Sequence, residues 1–102
     1  NIYPAEIEGA LIEHESVVDC AVFGIPDDDW GEQVKAVIEL KAGEKGTPAL
    51  VESILSFCKA RLATYKCPRS IDFIDALPRD PNGKLYKRRL RAPYWEGRER
   101  RI

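Results

Sequence analysis

No methionine occurs anywhere in the 102-residue chain, although translation normally starts with one. The opening NIYPAEIE therefore reads as a chain entered midway, and a single domain taken from a larger protein is expected, since 102 residues are too few for two cores. Long apolar runs are missing too. Nothing approaches the roughly 18–20 residues that a membrane span needs, and no signal peptide is recognisable. Histidine is confined to His14 and cysteine to Cys20, Cys58 and Cys67. None of the cysteines forms C-x-x-C, and one distant histidine does not complete the spacing of a zinc site. The expectation is reduced thiols in a cytoplasmic protein with no Ser-His-Asp set. His14 is expected at the surface or the core edge.

Charge is plentiful but unevenly placed. Residues 1–58 hold 3 Lys/Arg against 12 Asp/Glu, residues 59–102 hold 13 against 5, and the whole carries −1. A cationic half can bind phosphate, nucleic acid, an acidic lipid surface or an acidic partner. The plainer reading, a basic face folded against the acidic half, fits the near-zero total better.

Pro4 followed by Glu6 and Glu8 starts a helix, which Ile7, Ala10 and Leu11 carry through residues 4–14. The β-branched run at 17–25 reads as a buried strand, PDDDWGEQ as a loop, and 34–40 as a strand antiparallel to the first. Thr47-Pro48 caps and opens a second helix whose stripe is Leu50, Val51, Ile54, Leu55, Cys58 and Leu62. SIDFID at 70–75 points Ile71 and Phe73 inward and Asp72 outward as a third strand. Asn82-Gly83 favours a tight hairpin turn, and Tyr86–Leu90 a short final helix. The expected class is α+β, a small antiparallel three-stranded sheet with helices packed on it, plus a C-terminal hairpin and helix.

Three segments carry more than scaffold: NIYPAEIE at 1–8, VFGIPDDDWGEQVKAVI at 22–38 and YKCPRSIDFIDALPRDPNGKLYKRRLR at 65–91. Together they resemble the C-terminal domain of adenylate-forming enzymes, which include acyl-CoA synthetases, aryl-CoA ligases, luciferases and peptide-synthetase adenylation domains. The pattern is nearer to medium- or long-chain fatty acyl-CoA ligases than to acetyl-specific ones. The resemblance implies an acid–thiol ligase that makes an acyl-adenylate from carboxylate and ATP, then acyl-CoA and AMP. This chain would be the mobile lid over its own N-terminal adenylation domain, inactive alone. ATP and coenzyme A are implied as cofactors, with Mg2+ in the parent enzyme but bound outside this segment.

In the PxxxxGK pattern, formed by Pro78, Asn82, Gly83 and Lys84, the resemblance makes Lys84 the adenylation lysine. An ammonium there would offset charge building on the α-phosphate, and Gly83 would clear space beside the nucleotide. Trp30 of the DxxWG loop, with Tyr65, Lys66 and Arg69 of the [FY]KxP segment, is implied near the CoA nucleotide. A ring can stack on adenine and a cation can neutralise phosphate. Cys67 replaces the basic residue of some relatives, which throws more weight on Arg69. Trp30 also reads as a hydrophobic plug between loop and sheet. Two alternatives stay open. One is a lid that loads a carrier-protein thiol; the other is a basic nucleic-acid- or partner-binding module without chemistry. No RNA-recognition sheet or helix-turn-helix spacing supports nucleic acid.

Overall fold

Pro4, whose missing N–H costs nothing at a helix start, opens α1 (Pro4–Leu11) with Glu6 in its first turn. The computed structural model describes residues 3–97. Helix α1 stops three residues before the expected end. Glu13 and His14 donate to the carbonyls of Ala10 and Leu11 in tightened turns, and the His14 ring leaves the helix line. Its Nδ1 accepts the Ser16 N–H at 3.0 Å while Nε2 meets Ser53 Oγ at 3.1 Å, so this buried ring ties α1 to the second helix.

Strands β1 (Val17–Asp27) and β2 (Gly31–Leu40) form one long antiparallel hairpin. The segment PDDDWGEQ is thus mostly strand rather than loop. Asp27 pairs with Gly31, leaving only residues 28–30 in the turn. Asp27 Oδ1 accepts the Asp29 N–H at 2.9 Å, and Gly31 takes φ +81°, a conformation that excludes most side chains. Thr47 Oγ1 accepts the Leu50 N–H at 3.1 Å and caps α2 (Pro48–Lys59). A 3-10 turn at Thr64–Lys66 leads into β3 (Ser70–Phe73), and α3 (Lys87–Trp95) closes the fold.

The class is α+β, with sheet order β1-β2-β3. The expected all-antiparallel sheet is corrected at one edge, because β3 runs parallel to β2 in the register Ala36↔Ile71 and Ile38↔Phe73. The reason lies in the connection. Helix α2 carries the chain back across the sheet, as a parallel pair requires.

Both faces of the sheet are covered. On the first, Ile7 and Leu11 of α1 and Ile54 and Cys58 of α2 pack on Val22, Ala36 and Ile38. On the second, Leu77 and Leu90 pack on Ala21, Phe23 and Val37. Asp72, expected outward, is half-exposed at the edge of this second layer. It takes Lys35, only 7% exposed, at 3.1 Å and a hydrogen bond from the Tyr94 hydroxyl. Helix α3 continues past Leu90 and through Pro93 because Tyr94 reaches Phe23, at 5.7 Å between rings, and Trp95 Nε1 donates to the Gly24 carbonyl at 2.8 Å.

The two charged halves interlock. Lys66–Glu6, Lys87–Glu8, Arg61–Glu13, Arg79–Asp19, Arg69–Asp27 and Lys35–Asp72 each join residues 1–58 to residues 59–102. No described helix is long and apolar enough to cross a membrane. Asn1, Ile2 and the arginines at 98, 100 and 101 lie outside the described residues.

Candidate functional site

Lys84 stands just after a turn whose geometry follows from Asp80-Pro81-Asn82-Gly83. The Gly83 N–H donates to the Asp80 carbonyl at 2.8 Å, and the Asp80 carboxylate accepts the Asn82 and Lys84 N–H groups at 2.9 and 2.8 Å. Asn82 does not take positive φ and Gly83 does, at +88°. A turn followed by a left-handed glycine is the geometry of the three-residue hairpin, and the Arg79↔Leu85 bridge closes it. Tyr86 N–H then bonds to the Pro78 carbonyl at 3.0 Å and leads into α3. The Lys84 side chain is exposed and its ammonium meets no carboxylate among the described residues.

Arg79, which the sequence reading passed over, holds this hairpin to the sheet. Its Nε and NH2 groups fork onto both oxygens of Asp19 at 2.7–2.9 Å, and NH1 donates to the Gly83 carbonyl at 2.6 Å. Only the LPRD arginine two places before the turn proline hinted at this.

Of the other candidate residues, Trp30 and Arg69 lie at the Asp27 end of β1, and Tyr65 and Lys66 lie on the 3-10 turn, where Lys66 reaches α1. Trp30, 73% exposed, tips the β1–β2 hairpin, and is therefore no hydrophobic plug. Arg69 lies beside that hairpin, with its guanidinium 3.9 Å from Asp27 and its N–H on the Val34 carbonyl at 2.9 Å. Gln33 links the same Asp27 to Ser70. Tyr65 is 74% exposed on the 3-10 turn. Lys66 is engaged: Glu6 takes its ammonium at 3.1 Å, and it sits 4.7 Å from the centre of the Tyr3 ring. The bond to Glu6 raises the Lys66 pKa; desolvation opposes it, and the negative field of that carboxylate adds to the rise.

The structure thus brings Trp30 and Arg69 to one hairpin and puts Tyr65 beside Lys66. It does not bring any of them to Lys84. Asp19, which anchors the Lys84 hairpin, and Asp27, which faces Arg69, are eight residues apart on β1. At ~3.3 Å per residue these anchors stand about 26 Å apart.

A family model described as the AMP-binding enzyme C-terminal domain matches residues 6–84, most of the chain and every candidate residue. The chain belongs to this family. Among curated relatives it is 42% identical over 94 residues to a long-chain-fatty-acid–CoA ligase of Mycobacterium tuberculosis, covering 92% of this chain and 18% of that protein. It is 38% identical over all 102 residues to a fatty acid–acyl-carrier-protein ligase of Streptomyces coeruleorubidus, 19% of that protein. A crystal structure of an acyl-CoA synthetase from Brucella canis superposes with a TM-score of 0.86 at 40% identity, over 91% of this chain and 17% of that one. The chain therefore spans about a fifth of the length of the proteins it matches.

Proposed function

We propose that residues 1–102 are the C-terminal lid of a cytoplasmic, AMP-forming acyl-CoA synthetase, whose N-terminal adenylation domain supplies the remaining four-fifths. The observation that carries this reading is the Lys84 ammonium, without a carboxylate partner among the described residues, on a clamped hairpin far from the exposed Trp30 and Arg69. Such a domain can offer one end to ATP chemistry and the other to a thiol, in turn.

In the first step a carboxylate oxygen attacks the α-phosphorus of ATP, and the bond to the pyrophosphate oxygen breaks. Lys84 meets the charge that gathers on the phosphoryl oxygens, more strongly in the transition state than before it. In the second step the CoA sulfur attacks the acyl carbonyl and AMP departs. Trp30 and Tyr65 offer ring faces to an adenine and Arg69 a guanidinium to phosphate. Lys66, held by Glu6, supports Tyr65 and Tyr3 rather than standing as an open phosphate site. Magnesium, expected with ATP in the full enzyme, is assigned no ligand here. Among the described residues no three His, Cys, Asp or Glu side chains gather around one point.

The relative from Streptomyces is named for a carrier-protein acceptor, so the carrier-protein reading is the alternative to CoA. The full-length protein, given ATP and a panel of fatty and aryl carboxylates, is expected to release pyrophosphate only with an acid present. CoA should then be consumed as AMP appears. AMP release with a pantetheinylated carrier protein but not with CoA would move the assignment to the alternative. Absence of acid-dependent pyrophosphate release would overturn both.

A further inference from the structure

We infer that the Asp19–Arg79 fork is the positioning device of Lys84, fixing the pose of its peptide unit relative to the sheet. The inference rests on the reading of Lys84 given above. It starts from an irregularity in β1. Side chains alternate along a strand, yet Val17 and Cys20, three residues apart, both belong to the core under α1 and α2. The pairing register slips between Val17 and Asp19, leaving Val18 as an extra, half-exposed residue. This bulge moves Asp19 to the opposite face, in line with Ala21 and Phe23 and toward the hairpin. The Cys20 N–H, at 2.9 Å from Asp19 Oδ1, then fixes the carboxylate.

Arg79 receives that carboxylate on one edge and passes the constraint on with the other. Its NH1 holds the Gly83 carbonyl at 2.6 Å, while Asp80 holds the Lys84 N–H at 2.8 Å. Those two atoms belong to one peptide plane, so the bond that carries Lys84 is gripped from both sides. Exposed ion pairs contribute little to stability as a rule. A bidentate fork with a third acceptor is geometrically more demanding, and lysine cannot copy it. Its effect is therefore expected in the placement of Lys84 more than in folding.

The experiment uses the full-length ligase with Arg79→Lys, Asp19→Asn and Lys84→Ala, singly and in pairs. Acyl-adenylate formation from ATP and thioester formation from supplied acyl-adenylate are measured separately. Arg79→Lys and Asp19→Asn should each slow the first reaction about 10–100-fold, the scale of a misplacement near 1 Å. The second should stay within about 2-fold of wild type. Added to Lys84→Ala, Arg79→Lys should cost nothing more, because it acts through that ammonium. Equal losses in both reactions, additivity with Lys84→Ala, or no loss at all would overturn the inference. A silent Lys84→Ala would instead overturn the reading beneath it.

Discussion

Asp19 and Asp27 lie on the same face of β1, eight residues apart, and each faces an arginine of the basic half. Asp19 anchors the hairpin of Lys84 through Arg79. Asp27 stands beside Arg69 and, through the strand pairing Asp27↔Gly31, closes the hairpin tipped by Trp30. About 26 Å of strand separates them. A single ligand-bound pose therefore cannot press both groups on one reacting phosphate, and their substitution should have separable consequences.

Arg69→Ala and Trp30→Ala should weaken the thiol step alone. Each is exposed, and neither fills a core. The expected result is a rise of roughly 5–20-fold in the KM for CoA, the scale of one stacking or charged contact, with acyl-adenylate formation unchanged. An equal loss in adenylate formation would show that these residues do not belong to a separate face.

Gly46→Ala tests a packing feature remote from both ends. A Cβ there would come 2.2 Å from the Phe73 ring, which is packed against the core under α2. Phe73 would have to move, and stability should fall by about 1–3 kcal/mol, the usual cost of overpacking. Urea unfolding of wild type and variant gives the number. An unchanged midpoint would show that the ring is free to swing away.

Tyr94 gives a pH dependence with a definite sign. Burial, followed by its hydrogen bond to Asp72, pushes the phenol up to about 12 from 10.0. A raised folded-state pKa means that this stabilisation is complete below pH 10 and is lost as pH climbs toward 12. Asp72 moves the other way. Burial raises it, but the bonds from Tyr94 and Lys35 outweigh burial and hold it below the usual carboxylate range. Its contribution is thus present at neutral pH and is lost in acid. Cys20 and Cys58, pushed up to about 12 mainly by burial, add to the alkaline loss. Tyr94→Phe should flatten the fall in stability between pH 10 and 12 without abolishing it. An identical alkaline limb in wild type and variant would contradict the pairing.

Much of this was legible in the sequence because period and punctuation agree. Proline openings and apolar stripes marked α1 and α2, and β-branched runs marked β1 and β2. Asn82-Gly83 marked the turn before Lys84. What escaped were features set by distant parts of the chain. The direction of β3 depends on where α2 delivers it, which SIDFID does not encode. The burial of Lys35 was not legible either, because its partners Asp72 and Tyr94 come from distant parts of the chain. The polar string PDDDWGEQ hid a strand extension that Gly31 makes possible. Lys66 read as an open cation because Glu6 is sixty residues away in sequence. Arg79 was overlooked for the same reason, since its partner Asp19 lies equally far off.

The most direct test of the account is Lys84→Ala in the full-length ligase, assayed by half-reaction. Acyl-adenylate formation from ATP should fall by about 10²–10³, the loss typical of one preorganised charge donor. Thioester formation from supplied acyl-adenylate and CoA should persist, because that chemistry is assigned to the other end of β1. Adenylate formation at the wild-type rate would contradict the account and leave the Asp80–Gly83 turn as a hairpin only.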